Sequence, residues 1–127
     1  MSKAVEQWVE KATYDLDTAK AMLRSRRYVY VFFCCQQAVE KAIKAVYVFK
    51  KADFPPRLHS LVPLAELTEI ELTAERERLF TRLSEYYIRT RYPEQTETLA
   101  KTTNRKSAQE TLVQTEEVIQ WLLSMLK

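Results

Sequence analysis

Not one of the 127 residues is glycine, and only four are proline. Glycine supplies the positive backbone angles needed by tight hairpins, phosphate-cradling loops and dinucleotide-binding turns. A chain without it is a poor candidate for a β-sandwich, a barrel, a P-loop or a Rossmann turn. An all-α fold is what remains, and the hydrophobic spacing agrees with it. The length fits one domain, residues 1–127, with enough chain to bury a core unaided by metals or disulfides.

The stretch Arg27–Lys50, RYVYVFFCCQQAVEKAIKAVYVFK, reads as the central helix. Its first third is apolar or aromatic all round, so it needs cover on more than one side, from neighbouring helices or a second subunit. Tyr28 to Phe33 has strand propensity on its own. The run nevertheless continues without a turn signal into AVEKAIKA, and a lone strand would have nothing to pair with. Wrapped as a helix, Phe32, Gln36, Val39, Ile43, Val46 and Tyr47 share one face, and Gln37, Glu40, Lys41 and Lys44 fall on the other. Gln36 thus interrupts an apolar stripe, and a buried amide is costly without partners.

Before that helix, Val5, Trp8, Val9, Ala12, Leu16, Ala19 and Leu23 recur at helical steps, so residues 2–23 are expected to be amphipathic, with Ser2 as N-cap. Asp15 borders the stripe, either as a rim carboxylate or as an acid orienting a basic residue across the helix pair. The RSRR turn at 24–27 places cations at the first helix's negative end. Lys50–Pro56 breaks the chain, because paired prolines end a helix. Ser60 then caps a short helix through Leu67, and Thr73 caps a fourth with Leu79, Phe80, Leu83 and Tyr86 or Tyr87 buried. Residues 94–106 are polar and read as a mobile connection. Thr103 or Asn104 caps a last helix whose apolar side is Ala108, Leu112, Val118, Ile119, Leu122, Met125 and Leu126.

Net charge is +3, from 20 basic and 17 acidic residues. That suits an anionic ligand and falls short of a dedicated nucleic-acid binder. Cys34 and Cys35 are adjacent on one helix and cannot form a relaxed disulfide, which implies free thiols in a reducing cytoplasm. No signal peptide is expected from MSKAVEQW, and no apolar run approaches the roughly 20 residues that span a bilayer. HExxH, CxxC and Walker patterns are absent, and a single His59 with two apolar-flanked cysteines offers no metal set, so no cofactor is expected. The unusual concentration is Tyr86–Pro93, with three tyrosines and two arginines before the proline. Arginine offers a rigid fork for phosphate and tyrosine a ring to stack on, so Tyr87, Arg89, Arg91 and Tyr92 are candidate ligand-binding residues. The plainer alternative packs Tyr86 and Tyr92 into the core and lets the arginines reach solvent.

Four stretches in order resemble the HEPN domain. They are W-x3-A-x2-D-L-x2-A (Trp8, Ala12, Asp15, Leu16, Ala19), Q-Q-A-x-E-K-x-x-K-A (Gln36 to Ala45), H-[DS]-L-x2-L (His59, Ser60, Leu61, Leu64) and Y-x3-R-Y-P (Tyr87, Arg91, Tyr92, Pro93). The resemblance implies an up-and-down bundle of about five helices around a four-helix core, homodimeric, in a prokaryotic cytoplasm. It further implies nucleotide binding and a minimal nucleotidyltransferase as partner in a toxin–antitoxin-like module. Other HEPN proteins are metal-independent ribonucleases with an R-x(4–6)-H motif. Here the required positions before His59 are Ala52, Asp53 and Phe54, and Arg57 is too close, so that activity is not carried over by motif.

The expectation is therefore a non-catalytic dimer whose Arg91 holds a phosphate. Tyr87 and Tyr92 would shape the site, His59 and Arg89 would assist, and Lys41 or Lys44 would add charge if their face lines the cleft. The alternatives are a ribonuclease toxin using Arg91 and His59 on RNA, and an interaction module whose dimer surface is its function.

Overall fold

The computed structural model describes all residues 1–127. Six α-helices and no strand make up the chain: α1 Lys3–Arg24, α2 Tyr28–Lys51, α3 Leu61–Leu67, α4 Ala74–Arg89, α5 Pro93–Thr102 and α6 Arg105–Leu123. The all-helical expectation holds, with six helices in place of about five.

Each helix end has a local cause. The Ser2 side chain accepts from the Val5 N–H at 3.2 Å, and that of Thr73 from the Arg76 N–H at 3.2 Å. At α6, Asn104 and Ser107 exchange backbone-to-side-chain bonds of 2.9 and 3.1 Å, a reciprocal cap that explains why the helix starts where it does. Ser60 precedes α3 as expected, but its hydroxyl makes no cap. The Leu61 N–H instead donates to Ser84 Oγ of α4 at 3.1 Å, so the capping group comes from a neighbouring helix.

Residues 94–106 depart from the mobile connection read from their polarity. Pro93 sits in the first turn of α5, where its missing N–H costs nothing, and Leu99 anchors that helix into the protein. One buried leucine in ten residues is too sparse a signal for periodicity to find.

The short Ser25–Arg27 turn folds α1 back along α2, and α2 also packs against α6 and α4 while touching α3 and α5. Val31, Phe32, Cys35, Ala38, Val39, Ala42, Ile43 and Val46 of α2 all lie in the main core. The aromatic start of α2, with its strand-like composition, is helix because Val29, Val31 and Phe32 are buried against neighbouring helices, while Tyr30 stays exposed. Phe32 stacks on Tyr86 of α4 with centroids 4.0 Å apart. No helix is long and apolar enough to cross a membrane.

Candidate functional site

Gln36, Glu40 and Lys44 stand at successive four-residue steps of α2 and therefore line up along one edge of it. All three are buried, at 0, 3 and 6% exposure. The sequence had set Glu40 and Lys44 on the face opposite Gln36, but α2 is covered nearly all round and the three bond to one another. Gln36 Nε2 donates to Glu40 Oε1 and to the His59 carbonyl, both at 3.0 Å, and its Oε1 accepts from Gln37 at 2.7 Å. Lys44 Nζ donates to Glu40 Oε2 at 2.9 Å and lies 5.7 Å from the centre of the Trp8 indole on α1. Burial pushes the Glu40 carboxyl up. Hydrogen bonds from Lys44, Gln36 and His59, with the Lys44 charge, outweigh that and hold it below the usual carboxylate range. Glu40 is thus a buried anion, balanced by one ammonium.

His59 follows the Pro55–Pro56 break, and its Nδ1 lies 3.0 Å from Glu40 Oε1. An ionised carboxylate can only accept, so Nδ1 carries the hydrogen and Nε2 is left without a protein partner. The imidazole is half exposed and leans on Tyr87 of α4, with centroids 5.1 Å apart and planes at 34°. Tyr87 is itself fixed from behind by Phe33 of α2, stacked at 5.8 Å. One turn further, the exposed Arg91 lays its guanidinium 4.3 Å from the Tyr87 ring centre and donates to the Tyr87 hydroxyl. Arg91 forms no ion pair, so its charge is uncommitted. Beside this group Arg57, His59, Ser60, Ser84, Tyr87 and Ile88 line a shallow cavity of about 260 Å³.

His59, Tyr87 and Arg91 are therefore brought together. Arg89 points elsewhere, held by Glu85 at 3.1 Å and Gln95 at 3.0 Å. Tyr92 sits half exposed at the start of α5. Lys41 reaches across to Asp15 of α1 at 2.6 Å, the cross-helix pairing that was one of two readings of that acid, and it faces a different cleft. This larger groove, of about 1070 Å³, runs between α1, α2 and the loop at Asp53–Pro55. Lys44 lines neither; it lies buried beneath the site. Glu40, Arg57 and Ser84 are not among the ligand-binding residues expected from the sequence. Only Glu40 carried a signal, through its spacing from Gln36.

Burial drives both thiols up, Cys34 to about 11 with the Asp15 charge adding to it, and Cys35 to about 12. Neither is a ready nucleophile. No group of three or more His, Cys, Asp or Glu side chains is placed to hold a metal ion.

A family model described as the HEPN domain matches residues 5–126. Among solved structures, TT1696 from Thermus thermophilus superposes with a TM-score of 0.82 at 24% identity, over 98% of this chain and 100% of that one. ST0689, described as an archaeal HEPN homologue, superposes with a TM-score of 0.78 at 25% identity, over the full length of both chains. No curated protein gives a significant match.

Proposed function

The chain belongs to the HEPN domain family, and from that premise we propose that it binds a nucleotide or another phosphate-bearing group without turning it over. In this reading it works as a homodimer beside a minimal nucleotidyltransferase, in a toxin–antitoxin-like module. The observation that carries it is the uncommitted Arg91 guanidinium held against Tyr87, with His59 against the same ring. The ring fixes a fork of N–H donors without neutralising it, which is what a phosphate requires. Arg57, on the rim of the adjoining cavity, adds charge. Tyr92, Arg89 and Lys41 become peripheral.

Calorimetric titration with adenosine mono-, di- and triphosphate tests this. Saturable binding is expected, weakened about 10- to 100-fold in Arg91→Ala, the scale of a lost charge-assisted hydrogen bond. Binding that Arg91→Ala leaves unchanged would remove the site assignment. Co-purification with a co-expressed minimal nucleotidyltransferase tests the partner.

One observation favours a second reading. A histidine whose Nδ1–H is held by a buried carboxylate is arranged as a general base is, and with Arg91 nearby it could cleave RNA. RNA cleavage by the purified protein that disappears in His59→Ala would replace the non-catalytic reading.

A further inference from the structure

The larger groove lies at one end of the α1–α2 hairpin, and three aromatic side chains border it. Trp8 is half-buried. Tyr14 and Phe54 are 73 and 90% exposed, the two most exposed large apolar side chains of the protein. Slack in the loop does not account for Phe54, since Pro55 and Pro56 stiffen the chain after it and the Asp53 carboxylate accepts its N–H at 2.7 Å. Rings held out into water around one groove mark a surface that something covers.

Charge says what the cover carries. Asp15 and Lys41 satisfy each other inside the groove at 2.6 Å, which leaves Glu10, Asp53 and Lys11. None of these three forms an ion pair, so two carboxylates stand against one ammonium on a protein whose net charge is +3. The matching cations stand at the opposite end of the same hairpin. Arg24, Arg26 and Arg27 of its turn are exposed, and they too form no ion pair. Guanidinium groups stack on aromatic rings and pair with carboxylates, and the groove offers both. Two hairpins laid side by side and antiparallel put each turn over the other's groove. The contact then occurs twice about a twofold axis, which closes the pair.

We infer that the groove is the binding site for the Arg24–Arg27 turn of a second copy of this chain, each copy supplying the arginines that complete the other's site. This rests on the homodimer reading above and deepens it by naming the face and its chemistry.

Complementation between two charge variants tests it. Glu10→Lys with Asp53→Lys makes the groove basic, and Arg24→Glu with Arg26→Glu makes the turn acidic. Each variant alone sets like charges together twice. Its dimer dissociation constant, read by sedimentation equilibrium, should rise about 100-fold or more. Mixed in equal amounts, the two should form a heterodimer, because one contact is then unaltered and the other has its signs exchanged. Association lost in each variant and regained on mixing is the expected result, and the regain shows that both are folded. Variants with native far-UV circular dichroism that stay monomeric when mixed overturn the interface. Variants that dimerise as the unaltered protein does also overturn it; the homodimer reading then stands, and the groove passes to another cation. An unaltered protein that is monomeric at every concentration brings down the interface and the homodimer reading together. Should a charge variant fail to fold, Phe54→Ser decides, since a side chain at 90% exposure contributes little to its own fold. About tenfold weaker association is expected from it, the scale of a lost aromatic anchor, and unchanged association overturns the interface.

Discussion

At the scale of single residues, the candidate site is a buried carboxylate and what leans on it. Glu40 has its folded value below its unfolded one, so its contribution to stability is present above the ordinary carboxylate value of 4.5 and is lost as pH falls through the folded value. Glu40→Gln keeps the volume and removes the charge, leaving Lys44 buried without its counter-ion. At neutral pH this should cost about 3–5 kcal/mol in urea unfolding, the range for breaking a buried pair. The deficit should shrink steadily as pH drops below 4.5, where the carboxyl of the unfolded chain takes up a proton that the folded one, held lower, still refuses. A deficit independent of pH between 7 and 3 would mean that packing, and not charge, is what Glu40 supplies. The sequence signal for this residue was half legible. Gln36 stood out because an amide on an apolar stripe needs partners, yet the partner four residues on looked like an ordinary surface charge. Which edge of a helix is buried depends on its neighbours, and spacing within α2 cannot report that α1, α4 and α6 all press on it.

At the scale of elements, the joints are built without glycine, and at a cost. Arg26, Ala52 and Glu69 hold positive φ angles of 63, 51 and 59°. A residue with a Cβ is disfavoured there by about 1–2 kcal/mol. Ala52 ends α2 in this conformation, its N–H closing on the Val48 carbonyl at 2.9 Å. Ala52→Gly should therefore stabilise the protein, by about 0.5–1 kcal/mol after the larger chain entropy of glycine is counted, and raise the melting temperature by a few degrees in a thermal melt. No gain, or a loss, would show that the Ala52 methyl makes contacts worth as much as the strain. The C-termini of α2 and α3 are held together nearby, with Lys50 donating to the carbonyls of Thr68 and Glu69 at 3.1 and 3.3 Å. Boundaries set by side-chain chemistry were readable in advance: Ser2, Thr73 and Asn104 cap where such residues are expected to. The cap at α3 was not, because Ser84 reaches it from 23 residues away.

At the scale of the molecule, one helix holds the others. Thirteen buried residues lie on α2, against one on α5. Backbone amides exchange with solvent at the free energy of the smallest opening that frees them, and that energy follows how much apolar surface the opening exposes. Opening α2 breaks contacts to every other helix and amounts to global unfolding. Releasing α5 exposes Leu99 and parts the Tyr86 hydroxyl from Thr103, 2.7 Å away, leaving the Phe32–Tyr86 stack in place. Native-state hydrogen exchange should find the middle of α2 exchanging only through global unfolding, while α5 opens at several kcal/mol less, in a separate and earlier step. The site lies between these two regimes. Tyr87 is anchored to α2 through Phe33, while Arg91 sits in the short joint that leads into α5. A ligand that fixes Arg91 should therefore slow exchange in α5 more than in α2, and adenosine monophosphate added to saturation provides the comparison. Protection confined to α1 and the Asp53–Pro55 loop would instead put the ligand in the larger groove, against the assignment to Arg91.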